Sequence, residues 1–335
     1  MIPMQHNNYR FFRLLQPVSK INLVNMRPHP SPLLRGEGRK FLPLLGEGQD
    51  GVWFEAFSRT RKGGNLFETA MAMSILFCSL IIIYAHTLNA QDKTAWRGKQ
   101  CAVSLTYDDA LNVHLDNAVP ILDSLGFKAT FYLSGFFPAF RERSTEWKSV
   151  AANGHELGNH TLFHPCDGTL PGRGWVKPDY DLSKYTMRRL VDEISMANIL
   201  LRAIDGKTAR TFAYPCGEMS IGGLSYVDSL KGRFSAARSV EGRMETIDSV
   251  DRYRIGSYMV SGQSGDELIN LVKQAMEQKA LIVFLFHGVG GEHDLDVSLD
   301  AHRKLLYFLK QNERQIWVAP LVEIAEFVAA TKTKE

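Results

Sequence analysis

Four short stretches, each of which ends in polar or turn-forming residues at a predicted strand end, most strongly limit the folds open to this chain. They lie at 104–110, 158–165, 211–217 and 281–288. A continuous apolar run such as 281–286 is typical of a parallel strand that is buried on both faces. In a β/α barrel the carboxyl ends of all strands lie on one face, where active sites are built. We therefore expect the residues that end these four stretches to lie together.

Strand and helix patterns alternate from residue 102 onward, which is typical of a parallel α/β sheet. The predicted strands cover residues 102–106, 129–133, 155–158, 211–214, 234–238, 281–286 and 316–319. The predicted helices cover residues 187–204, 266–278 and 300–309. The pattern favours an α/β fold, and about seven parallel strands in roughly 230 residues approach the size of a (β/α) barrel. We expect a loop over the site at 167–185, and residues 239–264 form an insert of ambiguous structure.

The residues at these strand ends are of types that perform chemistry. Asp108 and Asp109 follow the first strand, and burying adjacent carboxylates is costly unless a cation or a proton compensates. His160 and His164 are four residues apart, a spacing that lets two imidazoles share one metal ion. Taken alone, the aspartate pair also fits a solvated turn, and His287 after the last run also fits a core histidine. Three further histidines are expected to be structural or surface residues: His155, His293 and His302.

Together these stretches resemble the NodB-type polysaccharide deacetylases, also called carbohydrate esterase family four. The matching segments occur in the family's order, at 106–109, 160–164, 212–217 and 285–287. The resemblance extends from about residue 100 to residue 329. It implies a distorted (β/α) barrel, a divalent metal ion, and hydrolysis of acetyl groups on polysaccharides.

The resemblance also implies roles for individual residues. Asp109, His160 and His164 would hold the metal, with zinc expected and cobalt or nickel as alternatives. Asp108 would be the general base, and His287 would protonate the departing nitrogen or oxygen of the sugar. The metal chemistry that such a site supports is activation of water and polarisation of an acetyl carbonyl.

The third stretch implies an oxyanion site, at the turn formed by Tyr214, Pro215 and Cys216. The family places the donor, a backbone N–H, at the position of Cys216. Cys166 follows the histidine pair, so both cysteines should approach the active-site face. In an oxidising compartment they could form a disulfide, and otherwise they are two buried free thiols; the sequence does not decide between these.

The chain departs from the family at Ala213, where an arginine usually holds the catalytic aspartate. An Asp-x-x-Trp element that usually tunes the acid histidine is also not evident. We expect an arginine elsewhere to take over the first role. Arg238 ends a predicted strand and Arg254 lies near the start of another candidate strand, so either could pair with Asp108.

Three kinds of function are compatible with these residues. The first is an exported metal-dependent hydrolase that removes N- or O-linked acetyl groups from a glycan. The second is another metal-dependent C–N hydrolase on the same barrel, such as one for small cyclic amides. The third is a glycan-binding protein that has lost catalysis. The net charge of +3 is too small to favour nucleic acid, and no feature of the sequence predicts an oligomeric state.

The N-terminal part has a different character from the rest of the chain. Residues 1–68 are rich in Arg, Pro and Gly and predict a disordered leader or sequence upstream of the real start, with Met71 or Met73 as candidate starts. Residues 69–91 contain an apolar run at 71–85, shorter than the roughly 20 residues of a spanning helix. It predicts a signal peptide or an uncleaved membrane anchor. Either one places the predicted deacetylase domain, 96–329, outside the cytoplasm: periplasmic, extracellular or membrane-anchored.

Overall fold

The computed structural model of the chain describes residues 96–333. The expected leader at 1–68 and the expected export segment at 69–91 lie outside the described residues. Within residues 96–333, none of the helices has the length and apolar character needed to cross a membrane.

Twelve strands occur in the described part of the chain. They are β1 (Cys101–Asp108), β2 (Thr130–Leu133), β3 (Glu156–Asn159), β4 (Thr211–Ala213), β5 (Ser220–Ile221), β6 (Leu224–Ser225), β7 (Ala236–Arg238), β8 (Tyr258–Met259), β9 (Leu281–Phe286), β10 (Gly288–Val289), β11 (Asp296–Val297) and β12 (Ile316–Val318). Eight of them form one sheet in the order β7-β4-β3-β2-β1-β9-β8, with β12 also paired to β1. Every pairing in this sheet is parallel.

Eight α-helices connect or follow these strands. They are α1 (Val119–Ser124), α2 (Pro138–Glu142), α3 (Ser144–Ala152), α4 (Met187–Asp205), α5 (Val227–Leu230), α6 (Gly265–Gln278), α7 (Leu299–Gln311) and α8 (Leu321–Lys332). The helices α4, α6 and α7 begin at capping side chains, those of Thr186, Ser264 and Ser298. Ser264 and Glu267 form a reciprocal capping box on α6. The helix α4 ends at Gly206, whose φ of 72° suits a left-handed C-terminal cap.

The sheet confirms the expected α/β architecture of about seven parallel strands, curved into a half-barrel. All seven predicted strands are present, within two residues of their predicted bounds. The ambiguous insert at 239–264 bridges the two edges of the sheet. Ala237 N–H donates to the Arg252 carbonyl at 2.7 Å, and Ile255 N–H donates to the Ala237 carbonyl at 3.0 Å, so this segment runs beside β7. A few residues later it supplies β8, which pairs with β9.

The central strands are buried on both faces, which explains their continuous apolar sequences. Every residue of β1 and β9 is buried. The helices α6 and α7 cover one face through a core that includes Leu268 and Leu305. The helix α8 covers another part of the sheet through Leu321 and Ile324. Because all pairings are parallel, the carboxyl ends of the strands meet at one edge of the sheet, and the polar residues gather there.

Candidate active site

Asp109 is the centre of the cluster at this edge. The strand β1 ends at Asp108, and the next two residues have positive φ angles, 79° at Asp109 and 54° at Ala110. Successive side chains of a strand point to opposite faces, so the sharp turn is what brings both carboxylates to one site. Strain of this kind in non-glycine residues is concentrated at functional sites.

The two histidines of the second stretch face one oxygen of Asp109. Asp109 Oδ1 lies 3.6 Å from His160 Nε2 and 3.4 Å from His164 Nε2. His160 Nδ1 lies 2.9 Å from the carbonyl oxygen of Ala213, to which it donates its proton. This tautomer leaves the lone pair of Nε2 directed towards Asp109, as in histidines that bind metal ions.

His160 and His164 both face Asp109 because they lie on a tight loop and not on a helix. Thr161 and His164 have φ angles of 63° and 51°. Asn159 Oδ1 accepts the Thr161 N–H at 2.8 Å, and Thr161 Oγ1 accepts the His164 N–H at 2.9 Å. Buried Glu193 accepts the Phe163 N–H at 2.8 Å. Side-chain acceptors therefore replace the backbone hydrogen bonds that a helix would supply.

Arg238 forms a fully buried ion pair with Asp108. Its Nη2 donates to Asp108 Oδ2, and its Nη1 donates to Ser257 Oγ at 3.1 Å. Arg238 lies on β7 directly opposite Ala213 of β4 in the parallel register. The guanidinium is thus one strand away from the position where the resemblance implies an arginine. Asp108 Oδ1 has no hydrogen-bond partner among the described residues.

Arg254 does not take part in this pair. Its side chain is half exposed, and Nη2 lies 3.1 Å from Glu241 Oε1. The expectation that Arg254 could reach the site was wrong because the segment beside β7 places this side chain at the surface.

The pKa values of the two neighbouring aspartates are shifted in opposite directions. Burial would raise the pKa of Asp108, but the charge of Arg238 and its hydrogen bond outweigh burial and hold that pKa below its usual value. Burial and then the charge of Asp108 raise the pKa of Asp109 well above its usual value. One carboxylate is therefore stabilised as an anion, whereas the other needs a proton or a cation.

The second oxygen of Asp109 faces another pair of histidines. Asp109 Oδ2 lies 4.0 Å from His287 Nε2 and 3.8 Å from His293 Nε2. The rings of His287 and His293 are stacked, with centroids 4.6 Å apart. Burial lowers the pKa of His287 to about 3, so its imidazole is neutral at pH 7. His293, expected to be structural or surface, is instead a site residue.

His114 fixes the backbone at His287, a role that the sequence analysis did not predict. Its Nδ1 accepts the Leu111 N–H at 3.2 Å, so Nε2 carries the proton and donates to the His287 carbonyl at 2.7 Å. Burial lowers the pKa of His114 to about 4, which keeps this tautomer neutral. The pattern Asp-Asp followed by a histidine five residues later was the available signal.

The turn after β4 is held by a disulfide between Cys166 and Cys216, with Cα atoms 5.9 Å apart. Cys216 has a φ of 54°, and its N–H donates to no acceptor among the described residues. Tyr214 lines the site cavity, but its hydroxyl proton is already donated to the Tyr253 carbonyl at 2.8 Å. Pro215 is buried and does not line the cavity. Of this predicted trio, only the Cys216 N–H remains as a donor for a ligand.

The site opens into a cavity of about 380 Å³, lined by both aspartates and by His160, His164 and His287. The donor atoms of Asp109, His160 and His164 all lie within 4.8 Å of one another. Asp109 Oδ1 is buried without a hydrogen-bond partner. Two imidazole nitrogens and one carboxylate oxygen, with a cavity at the remaining position, fit a divalent cation.

The described residues thus form an α/β fold whose parallel sheet carries an Asp-Asp-His-His cluster at its carboxyl edge. Residues 97–231 match the family model described as polysaccharide deacetylase. The resemblance to the NodB-type polysaccharide deacetylases is thereby confirmed for this region.

Individual relatives share the region but are longer proteins. The chain is 28% identical over 263 residues to a gellan lyase from a Bacillus species, covering 71% of this chain and 10% of the relative. It is 28% identical over 140 residues to the uncharacterized protein YlxY from Bacillus subtilis, covering 42% of this chain and 36% of the relative. The chain thus spans about a third or less of the length of these relatives.

The fold has a counterpart among solved structures. The crystal structure of a candidate polysaccharide deacetylase from Mycobacterium smegmatis superposes with a TM-score of 0.52 at 14% identity. The match covers 70% of this chain and 92% of that chain. At this identity the likeness concerns the fold alone.

Proposed function

We propose that this chain is a metal-dependent hydrolase that removes N- or O-linked acetyl groups from a glycan. The observation that carries the proposal is the buried pair of Asp108 and Arg238 directly beside the Asp109, His160 and His164 donors. This arrangement supplies an ionised base and a cation site within one cavity. The match to the polysaccharide deacetylase family supports the choice of acetyl groups.

Asp109, His160 and His164 would hold the ion, and zinc is the metal that this donor set fits best, with cobalt or nickel as alternatives. Such an ion, when bound, lowers the pKa of a coordinated water and polarises a carbonyl. A cation would also compensate Asp109, whose anionic form is disfavoured by burial and by Asp108.

Asp108 is the proposed base. Arg238 occupies Oδ2, which leaves the unpartnered Oδ1 to accept a proton from the attacking water. A general base of this kind typically contributes about 10²–10⁴-fold in rate. The Cys216 N–H is the proposed donor to the oxygen that becomes negative during attack.

His287 is the proposed acid, on the far side of Asp109 from His160 and His164. Because its imidazole is neutral in the free protein, it must acquire a proton during the reaction. The source of this proton is the water molecule, from which Asp108 removes it. Hydrolysis balances when that proton reaches the departing sugar nitrogen or oxygen. Stacking on His293 limits the rotation of the ring that delivers it.

The two other kinds of function are less well supported. The glycan-binding alternative was motivated by Ala213, and Arg238 supplies the guanidinium that this position lacks. The match to the polysaccharide deacetylase family favours acetyl groups on a glycan over small cyclic amides. The exported location remains a proposal, and the disulfide supports an oxidising compartment.

The test is acetate release from N-acetylglucosamine oligomers, peptidoglycan and acetyl-xylan, with and without a chelator. The proposal predicts release from at least one of them that stops after chelation and returns when zinc is added. Release that is insensitive to chelation would contradict the metal dependence, and release from none of them would contradict the acetyl-hydrolase assignment.

A further inference from the structure

The two histidines that would hold the metal ion differ in what contacts the far side of each ring. His160 Nδ1 donates to the carbonyl oxygen of Ala213 at 2.9 Å. His164 Nδ1 instead lies 3.6 Å from Cys166 Sγ, which is one half of the disulfide. A metal-binding histidine almost always donates its other ring N–H to a carboxylate, a carbonyl or a water molecule. A sulfur atom that can change its oxidation state is therefore the distinctive feature behind His164.

The disulfide determines which nitrogen of His164 carries the proton. Because Cys166 Sγ is bonded to Cys216, it has no proton and can only accept a hydrogen bond. The proton of the neutral ring then lies on Nδ1, and the lone pair of Nε2 is directed towards Asp109 Oδ1, 3.4 Å away. This is the form of the ring that a metal ion requires.

Reduction would reverse that hydrogen bond. The S–H group of a reduced cysteine is a weak donor. When the Cys166 thiol donates to His164 Nδ1, the ring carries its own proton on Nε2, the nitrogen that faces Asp109. That tautomer has no lone pair available for a cation at the proposed site.

The backbone of Cys166 is held independently of the disulfide. Its carbonyl accepts the Leu182 N–H at 2.9 Å, and it pairs with Asp181 in a parallel bridge. Asp181 in turn accepts the Gly168 N–H at 2.9 Å. These contacts do not depend on the covalent bond, so the sulfur of Cys166 should stay beside His164 after reduction.

Cys216 gives a reductant access to the disulfide. Cys166 is buried, whereas Cys216 lines the cavity of about 380 Å³ that contains the proposed metal ligands. A dithiol can attack Cys216 Sγ as a thiolate, and Cys166 then leaves and takes up a proton. The second thiol of the reagent displaces Cys216 in the same way. The dithiol becomes a disulfide and supplies the two electrons and two protons that convert Cys166 and Cys216 to thiols.

We propose that Cys166 is a positioning residue for His164 and that the oxidation state of the disulfide controls the affinity of the metal site. This inference rests on the proposed function only for the metal ligands and does not depend on the substrate. Oxidised Cys166 holds His164 in the tautomer that binds a divalent cation. Reduction weakens the binding of that cation while all three proposed ligands remain in the chain.

The first test measures the Kd for zinc of the full-length protein before and after reduction, by competition with a chelating dye. The reductant is a water-soluble phosphine, which takes the oxygen atom of one water molecule while the two protons end on the thiols. It is removed under inert gas before the titration. Reduction should raise the Kd by about 10–100-fold, the usual effect of losing the partner behind a metal-binding histidine.

The matched control for this titration is Cys101→Ala, which removes a buried free thiol. This variant should respond to the phosphine as the unchanged protein does. An equal Kd in the oxidised and reduced unchanged protein would overturn the inference. Tighter zinc binding after reduction would also overturn it, because the thiols would then act as ligands.

Two further variants separate the hydrogen bond from the covalent link, since neither can form the disulfide. Cys166→Ser offers a hydroxyl oxygen that can accept from His164 Nδ1, whereas Cys166→Ala offers no acceptor. The serine variant should bind zinc more tightly than the alanine variant, by roughly threefold or more. The Kd of each variant should be unaffected by the phosphine. Equal affinity in the two variants would show that the sulfur does not act as an acceptor.

Nitrogen-15 NMR of the histidine rings tests the tautomer directly in the unchanged protein, without metal or substrate. The His164 signal is assigned by its absence in His164→Gln. Its proton should be on Nδ1 in the oxidised protein and on Nε2 in the reduced protein. His160 is the internal control and should keep its proton on Nδ1 in both. A His164 proton on Nε2 in the oxidised protein, or the same tautomer in both states, would contradict the inference.

These measurements also distinguish this inference from the proposed reaction. If acetate is released from no substrate but the tautomer and the Kd for zinc change as expected, the proposed reaction fails and the role of Cys166 stands. If acetate is released but reduction changes neither the tautomer nor the Kd, the role of Cys166 fails alone.

Discussion

The two sides of the candidate site are built by different physical means. On the β7 side, Asp108 is held by the guanidinium of Arg238, and both side chains are buried. On the β9 side, His287 and His293 are 13% and 29% exposed, are stacked on each other, and His287 Nδ1 has no partner among the described residues. An ion pair fixes the charge and the position of the proposed base, whereas the partly exposed rings leave the proposed acid accessible to a substrate.

The largest expected effect separates the two aspartates. Asp108→Asn should lower turnover by about 10²-fold or more, because the amide cannot accept a proton from water, and should leave bound zinc unchanged. Asp109→Asn should lower bound zinc by elemental analysis, with activity falling in step. Asp300→Asn, at an exposed position on α7, is the control. Zinc loss in Asp108→Asn equal to that in Asp109→Asn would show that the two roles are misassigned.

The next largest effect is expected from removal of the disulfide between Cys166, which follows the His160–His164 loop, and Cys216 in the turn after β4. Replacing both Cys166 and Cys216 by Ser should lower the free energy of unfolding by about 2–4 kcal/mol, since the bond closes a long loop. Turnover should also fall because the Cys216 N–H would be less firmly placed. Denaturant unfolding with and without reductant measures the first, and acetate release measures the second. An identical free energy of unfolding with and without the disulfide would contradict the claim that this bond stabilises the β7 side of the site.

A third effect, on the β9 side, depends on pH. Burial lowers the pKa of His302 to about 3, and its Nε2 accepts the Tyr107 hydroxyl at 2.7 Å. A histidine whose pKa is lowered by folding binds more protons when unfolded, so stability is complete above pH 6.5 and is lost as pH falls towards 3. From pH 7 to pH 5 this one group should cost about 2 kcal/mol.

The measurement for that prediction is denaturant unfolding at pH 7 and pH 5. His302→Gln keeps an acceptor for Tyr107 but cannot take up a proton, so its loss of stability over this interval should be smaller by about the same 2 kcal/mol. His293→Gln replaces a partly exposed ring, so it should alter the loss of stability between pH 7 and pH 5 much less. Identical pH dependence in His302→Gln and the unchanged protein would refute the neutral state of His302.

The smallest effect tests the stacked rings. His293→Ala should lower turnover roughly two- to tenfold, the loss that corresponds to about 0.5–1.5 kcal/mol for a stacked pair. His293→Phe restores a flat ring without a proton or a metal donor, so it should recover most of this loss. If the phenylalanine variant is as slow as the alanine variant, His293 acts through its nitrogen atoms and not by holding His287.

The strands and the first site residues could be predicted because they depend on local patterns. Apolar runs long enough to be buried on both faces gave β1 and β9, and the polar residues after them gave Asp108, Asp109 and His287. The choice between Arg238 and Arg254 could not be made from sequence. It depends on the register of β7 against β4, which sets Arg238 beside Ala213, and on the turn that exposes Arg254.

His293 was missed for a related reason. The pairing of β10 with β11 folds residues 290–295 back over the end of β9, and neither two-residue strand has a sequence pattern of its own. Gly290 and Gly291, with φ angles of 76° and 123°, were the available signal that the chain reverses here. The sequence pattern placed His302 on its helix correctly. It did not predict the hydrogen bond to Tyr107, because that residue is 195 residues away along the chain.

The central claim is that Arg238 supplies the cation that Ala213 lacks, and a swap of the two side chains tests it most directly. The measurement is kcat for acetate release by Arg238→Ala and by the double variant Ala213→Arg with Arg238→Ala, each at full zinc content. Arg238→Ala should lower kcat by about 10²-fold or more, because the base loses its charge partner and is left buried. The double variant should recover at least tenfold, since both positions lie side by side in register. Unchanged kcat in Arg238→Ala would contradict the account.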